Sequence, residues 1–181
     1  VEVIYLERLG PSLALYASAL TLAIVLGMPL GIVAALKRNT ALARGIMTAA
    51  FLGYAIPNFV LAILLLLIFS FHLGRLPSAG AATPAHYVMP TLAVGSVLLA
   101  AVVRFTRSSM LDVLSQDYLR TARAKGVSER ALVLRHALRN ALIPILTVIG
   151  LQVTNVLGAA VIIETVFAWP GLGEQIVLAT I

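Results

Sequence analysis

The sequence predicts an all-α protein that crosses a membrane several times. Apolar residues make up 61% of its 181 residues and charged residues only 11%, whereas an ordinary globular domain holds roughly 45–50% and about 25%. A soluble domain of this size could not bury so much apolar surface. The apolar residues are concentrated in four long stretches without any Asp, Glu, Lys or Arg. An ordinary soluble enzyme is therefore excluded, and the absence of cysteine excludes disulfides and thiolate metal sites.

Each charge-free stretch is long enough to cross a bilayer, which takes about 20 apolar residues in a helix. We predict membrane helices over about 9–36, 45–73, 88–107 and 141–163, with the start of a further helix at 174–181. The third helix begins late because residues 77–86 are rich in Pro, Gly and Ser and predict a loop. We expect further helices beyond both ends, since Val1 leads directly into the first crossing and Ile181 ends a new apolar run.

The basic residues give the orientation. Eleven of the thirteen Lys and Arg lie in two alternate segments, 37–44 and 104–140. By the positive-inside rule these segments are cytoplasmic, and the sparse, slightly acidic connections lie on the opposite face. The net charge of +6 therefore indicates membrane topology, and we expect no nucleic-acid partner.

The predicted membrane helices contain no ionisable residue at depth, although carriers coupled to protons or ions usually do. The driving force must then come from elsewhere, or the protein is a passive channel or a scaffold. The uncharged polar side chains in these helices either form hydrogen bonds to neighbouring helices, at about 0.6 kcal/mol each, or contact a solute.

Our pore candidates are Asn58, which follows a helix-kinking proline, and Gln152 and Asn155, which share one helix face. The spacing of Gly27 and Gly31 predicts close helix packing.

The segment 108–140 is too long and too patterned for a simple connector. Ser108 is predicted to cap an amphipathic helix, and Gly126 suits the left-handed turn at that helix's end. Ser128 is predicted to cap a second helix, with Glu129 in the first turn, where a carboxylate favours the helix dipole. Such a basic hairpin of two helices either rests on anionic lipid headgroups or docks a partner protein. The pattern alone leaves both interpretations open.

The residues 117–126, Asp-Tyr-Leu-Arg-Thr-Ala-Arg-Ala-Lys-Gly, carry a resemblance to a known family. They resemble the cytoplasmic coupling motif of binding-protein-dependent ABC importer permeases, and closely that of the dipeptide, oligopeptide and nickel branch. The general motif begins Glu-Ala-Ala, has a central Gly and ends Ile-x-Leu-Pro, and this chain matches it at Ala122, Gly126 and Leu138. It departs from the general form at Arg120, Thr121, His136 and Arg139. The Arg-Thr-Ala-Arg-Ala-Lys-Gly form is typical of the peptide branch.

Three further stretches resemble the same branch. Residues 55–59 are similar to the Pro-containing start of its third helix, and residues 76–80 to its outer loop. Residues 163–173, Ile-Glu-Thr-Val-Phe-Ala-Trp-Pro-Gly-Leu-Gly, are similar to the outer segment before its last helix. By this alignment residues 1–181 form a permease domain that holds helices two to five of six, with the last helix barely begun.

The resemblance implies a type I permease fold, similar to that of MetI, in the plasma or inner membrane of a bacterium or archaeon. It implies a transmembrane subunit of an ATP-driven importer, which works with a second homologous permease subunit, cytoplasmic ATP-binding subunits and an extracytoplasmic substrate-binding protein, amid membrane lipid. The chain has no phosphate-binding loop of the Gly-x-x-x-x-Gly-Lys-Ser/Thr kind. We therefore expect ATP and Mg²⁺ to be used by the partner ATPase, and no catalytic residue, cofactor or metal site in this chain.

The resemblance also implies two groups of functional residues. The ATPase-coupling residues are Asp117, Tyr118, Arg120, Thr121, Ala122, Lys125, Gly126, Ser128 and Glu129. The residues of an outer gate or binding-protein docking surface are Glu164, Trp169, Pro170 and Gly171. The competing interpretation of this outer group is a structural turn, with Trp169 at the membrane interface and Glu164 as a solvated carboxylate.

The solute and the class of transport are less well defined. Dipeptides, longer peptides, glutathione and nickel chelates all remain open, because the binding protein largely decides specificity in this family. The alternatives to an importer are an ion-coupled or passive channel and a membrane scaffold.

Overall fold

The computed structural model describes residues 2–173 and Gln175, with side chains from residue 8 to 152 and from 161 onward. Within these residues the chain is helical and contains no strand. The helices are α1 (Glu2–Leu36), α2 (Ala41–Ala55), α3 (Asn58–Leu65, continued by a π-helix over Leu66–His72), α4 (Pro84–Leu114), α5 (Asp117–Ala124), α6 (Glu129–Ala131, continued by a π-helix over Leu132–Ala137) and α7 (Leu138–Val166). Three helices are long and apolar enough to cross a membrane, and the bent pair α2 and α3 makes a possible fourth crossing.

Helix α4 lies at the centre of the bundle and contacts α1, α2, α3 and α7. Its closest neighbour is α1, which runs parallel to it. A Cβ atom on Gly31 would lie 2.6 Å from the Cβ of Thr106, and one on Gly27 would lie 2.9 Å from a methyl carbon of Val102. The predicted packing role of the two glycines is confirmed, because only small residues allow the backbones to approach so closely.

The second predicted crossing, 45–73, is divided into two helices that meet at 97°. The break falls at Pro57, which lacks a backbone N–H and cannot continue the hydrogen-bonding of α2. Ile56 is correspondingly extended, as expected for a residue before proline. The predicted kink before Asn58 is thus confirmed, and the bend divides the predicted helix into two.

Helix α4 is longer than the predicted 88–107 at both ends. At its start Thr83 and His86 form a capping box and Pro84 occupies the first turn, so the helix takes in the last part of the predicted loop. At its end the helix continues through Ser108 to Leu114, and the prediction that Ser108 caps a new helix is wrong. Ser109 and Met110, which follow Ser108, are buried against the core, and this packing extends the helix.

The predicted boundary at residue 141 is also wrong. The second helix of the predicted hairpin and the next crossing form one uninterrupted helical rod, residues 129–166, which comprises α6, the π-helix and α7. Leu132, Ala137, Ala141 and Ile145 are all buried along one side of it, so a single apolar stripe continues across the predicted boundary.

The ends of the other predicted helices compare as follows. Helix α1 begins at Glu2, before the predicted residue 9, and ends at Leu36 as predicted. The predicted helix start at 174–181 lies outside the described residues, except for Gln175.

The contact between α1 and α4 gives a stability prediction. Gly31→Leu should lower the free energy of unfolding by about 1–3 kcal/mol, because the added side chain would overlap Thr106. Thermal unfolding in detergent, followed by circular dichroism, measures the effect. Gly10→Leu is the matched control, since Gly10 lies in the same helix with nothing within 4 Å of an added Cβ. Equal destabilisation by the two variants would contradict the close-packing account.

Candidate functional site

The hairpin over residues 115–131, which the positive-inside rule places on the cytoplasmic side, is fixed to the bundle by one apolar side of α5. Leu119 is fully buried and belongs to the same core cluster as Leu132. Ala122 and Val127 are half-buried and pack against this cluster. A hydrogen bond from Asn140 Nδ2 to the Tyr118 hydroxyl, 2.6 Å long, joins α5 to the first turn of α7. The hairpin is therefore held against the rod rather than tethered as a free loop.

A left-handed glycine forms the turn of the hairpin. Gly126 has φ +83°, its N–H donates to the Arg123 carbonyl at 2.9 Å, and the Val127 N–H donates to the Ala122 carbonyl at 3.2 Å. This pair of bonds is the Schellman arrangement that ends many helices. Ser128 then caps α6 by accepting a hydrogen bond from the Ala131 N–H at 3.4 Å. The predicted local structure at Gly126 and Ser128 is confirmed.

An ion pair that the sequence did not reveal bridges this turn. Arg123 Nε lies 2.7 Å from one carboxylate oxygen of Glu129, and Arg123 Nη2 lies 3.3 Å from the other. The hydrogen bond from Arg123 lowers the pKa of Glu129, and the same bond raises the pKa of Arg123. Both side chains are exposed to solvent, so the pair contributes little to global stability. Its effect is local, because it joins the two helices on either side of Gly126.

Most of the predicted coupling residues lie on the solvent side of the hairpin. Ala122 is the exception, since its half-buried methyl group faces the core. Asp117 and Arg120 are 3.5 Å apart and highly exposed, which makes their salt bridge weak. The exposed members of the group are Asp117, Tyr118, Arg120, Thr121, Lys125, Gly126, Ser128 and Glu129. They form a polar surface on an anchored element, which is suited to a protein contact.

At the opposite end of the rod, Glu164 is fully buried. One of its carboxylate oxygens accepts hydrogen bonds from the Ser12 hydroxyl at 2.6 Å and the Tyr16 hydroxyl at 3.2 Å. The other oxygen accepts from the Gly173 N–H at 2.6 Å. The interpretation of Glu164 as a solvated interfacial carboxylate is therefore wrong. Its donors come from α1 and from the turn after α7, so the carboxylate joins three parts of the chain.

Trp169 is also fully buried, as the interpretation of this segment as a packed structural turn predicts. Its indole N–H donates to the Pro11 carbonyl at 3.1 Å. Its ring meets Tyr87 edge to face, with centroids 4.6 Å apart, an arrangement favoured between aromatic rings. The side chain packs the turn against α1 and α4 and is not presented to a docking protein.

Gly171 is required by the space around Glu164, since a Cβ at this position would overlap the carboxylate. Pro170 is half-buried between Trp169 and Gly171. The Leu172 N–H donates to the Ser12 hydroxyl at 2.9 Å, so this hydroxyl donates to Glu164 and accepts from the turn. The four predicted outer-face residues are thus brought together as a packed turn. Sequence reasoning missed Ser12, Tyr16 and Tyr87, because an ordinary Ser or Tyr in an apolar helix carries no signal of a distant partner.

The pore candidates lie on two different helices. Asn58 is the first residue of α3, half-buried at the bend. Gln152 is half-buried on α7. The side chain of Asn155 lies outside the described residues.

A family model described as the inner membrane component of binding-protein-dependent transport systems matches residues 27–181. The chain belongs to this family. The membership confirms the resemblance that the coupling motif and the outer segment carried, and it agrees with the predicted all-α membrane fold. The family is a transport component of the inner membrane rather than an enzyme.

The curated relatives include glutathione transport system permease proteins named GsiC. Those of Escherichia coli K12 and Shigella dysenteriae serotype 1 are 48% identical to this chain, and that of Salmonella choleraesuis is 49% identical, each over 171 residues. The match covers 94% of this chain and 56% of each relative. The chain thus spans a little over half the length of these relatives.

The buried carboxylate gives a second stability prediction. Glu164→Ala should reduce the free energy of unfolding by roughly 1.5–3 kcal/mol, because it leaves the Ser12 hydroxyl and the Gly173 N–H without an acceptor. Thermal unfolding measures the loss. Thr165→Ala is the control, since its exposed hydroxyl bonds only to its own helix. A loss no greater than the control's would refute the structural role of Glu164.

The ion pair across the turn gives a prediction about pH. Because the pKa of Glu129 is lowered in the folded chain, the pair is fully present above the ordinary Glu pKa of about 4.3 and is lost as pH falls through the lower, folded value. Arg123→Gln should move the Glu129 titration midpoint upward, as measured by ¹³C NMR of the labelled carboxylate. Arg130→Gln, which removes the neighbouring exposed arginine, should leave the midpoint in place. A Glu129 midpoint that shifts equally in both variants would show that the overall positive charge of the hairpin, and not the ion pair with Arg123, lowers the pKa of Glu129.

Proposed function

We propose that this chain is the core of a permease subunit of an ATP-driven importer. In this proposal the exposed face of the hairpin contacts a cytoplasmic ATP-binding subunit, which uses ATP and Mg²⁺. A second homologous permease completes the pathway, and an extracytoplasmic binding protein delivers the solute. The observation that carries the proposal is the anchored polar hairpin, because it continues directly into the rod of residues 129–166.

The rod supplies a physical route for coupling. It contains 38 residues between Glu129 and Val166 and is therefore about 57 Å long at 1.5 Å per residue. Ser128 caps its cytoplasmic end, and the buried Glu164 lies near its outer end. A displacement of the hairpin by the ATPase would move the whole rod as one body. Such rigid-body movement is a common basis of alternating access.

The solute pathway in this proposal passes the bend between α2 and α3. Asn58 lies at the bend, and Gln152 and Asn155 lie on the moving rod. The relatives named above are permeases of glutathione transport. We propose a small peptide, with glutathione as the first candidate.

Crosslinking tests the proposed ATPase contact. The full-length protein with Ser128→Cys, expressed with its neighbouring transport genes, should crosslink to an ATP-binding subunit in native membranes, as identified by mass spectrometry. Ala82→Cys, on an exposed position of the outer loop, is the matched control and should not form this product. A freely labelled thiol at position 128 that captures only lipid or a second permease would refute the coupling role of the hairpin.

The turn gives a prediction about activity. Gly126 is open to solvent but has φ +83°, a conformation that costs other residues about 1–2 kcal/mol. A cost of this size lowers the population of the left-handed turn roughly 5–30-fold. Gly126→Val should therefore reduce ATP-driven uptake, by at most that factor, while Gly126→Asn, which tolerates this conformation, retains more of it. Uptake into proteoliposomes, normalised to ATP hydrolysis, is the measurement. Gly150→Val is the control, because Gly150 is helical and equally open. Unchanged uptake with Gly126→Val would show that the left-handed turn is not needed for coupling.

A further inference from the structure

We propose that a small pocket between α2 and α4 binds a carboxylate group of the transported solute, with Arg104 as the cationic ligand. The pocket is lined by Met47, Ala50, Phe51, Tyr54, Ala100 and Arg104. This inference rests on the proposed function, which it deepens by naming the chemical group that the pathway recognises.

Aromatic rings hold the Arg104 side chain in place. The guanidinium carbon lies 5.4 Å from the ring centroid of Tyr54 and 5.4 Å from that of Phe105. Both distances are within the range of a cation–π interaction, which uses the charge of the guanidinium and not its N–H donors. The side chain is thus positioned without using its hydrogen-bond donors.

The charge of Arg104 is not neutralised within the described part of the chain, where no carboxylate pairs with it. The pocket lining contains no acidic residue. A guanidinium carries five N–H donors in a planar fork that matches a carboxylate. An anion in the pocket would pair with this charge, and the planar fork favours a carboxylate.

Arg104 is exposed on the surface of α4 but lies well short of the end of the bundle. Gly27 faces Val102 and Gly31 faces Thr106, so Arg104 lies level with about residue 29 of α1. The helix continues from there to Leu36, which places Arg104 about 10 Å inside the end of α1. Arg104 thus lies within helix α4 and not in the segment that connects the membrane helices. Charged residues at such depth usually face a water-filled cavity or the bundle interior and serve a function.

The size and position of the pocket fit one end of a solute. Its volume is about 80 Å³, several times the roughly 10–15 Å³ that a cavity needs to hold one water molecule, so it has room for a carboxylate. Tyr54 lies four residues before Asn58, on the other side of the Pro57 break. The pocket therefore adjoins the bend that we propose as part of the pathway.

Labelling of a cysteine on the pocket rim tests the proposal directly. Phe51→Cys is introduced into this Cys-free chain, in the full permease complex, because Phe51 lines the pocket and is largely exposed. The modification rate at position 51 is measured by mass spectrometry for an anionic and for a cationic methanethiosulfonate. With Arg104 present the anionic reagent should react faster, and Arg104→Gln should reduce this preference about tenfold. Arg44→Gln, which removes an exposed arginine of α2 outside the pocket lining, should leave the preference unchanged.

Protection by peptide decides whether the pocket recognises a carboxylate. Trialanine with its free carboxylate should slow the labelling of the Phe51→Cys variant, whereas trialanine amide should not, and Arg104→Gln should abolish the difference. Arg104→Lys, which keeps the charge without the planar fork, should restore the reagent preference but only part of the protection. Equal protection by the two peptides, or a difference that survives Arg104→Gln, would overturn the proposal. Because this readout needs neither ATP nor uptake, it is independent of the ATPase crosslink that tests the proposed function.

Discussion

The close contact between α1 and α4 is the constraint on which the rest of the structure depends. Gly27 and Gly31 bring the two backbones together against Val102 and Thr106, and α4 then contacts the other membrane-crossing helices of the described residues, α1, α2, α3 and α7. In lipid such contacts rest on van der Waals packing rather than on the removal of water. The same contact fixes the depth of α4 and therefore the level at which Arg104 meets Tyr54.

The rod of residues 129–166 is held differently at its two ends. At the hairpin end the apolar contacts of Leu119 and the bond between Tyr118 and Asn140 anchor the hairpin and leave its polar face exposed. At the opposite end Glu164 joins the rod to α1 through buried hydrogen bonds. The rod is thus held by buried contacts at one end and carries an exposed polar surface at the other.

The sequence predicted those features that depend on neighbouring residues. The charge-free stretches, the kink at Pro57, the left-handed Gly126 and the Ser128 cap are all local, and each matches the structure. Helix boundaries at Ser108 and residue 141 were wrong because tertiary packing, not local sequence, continues those helices. The burial of Glu164 and the contacts of Trp169 were not predictable for a related reason. Their partners Ser12, Tyr16 and Pro11 lie about 150 residues away in the chain, and no local pattern encodes such a pairing.

The proposed coupling requires that the hairpin and α7 move as one rigid rod. Two features are the weakest points of that rod, the π-helix over Leu132–Ala137 and Pro144 inside α7, because both disturb the regular hydrogen-bond ladder. The most direct test is pulsed electron resonance on the complete transporter, with spin labels at Arg130 and Thr165, both exposed and near the ends of the rod. A second label pair, Arg130 and Asn39, joins the rod to the turn after α1. Between the nucleotide-free and ATP-bound states the distance within the rod should stay constant, while the second distance should change by more than about 2 Å. A change within the rod, with the second distance constant, would contradict rigid coupling.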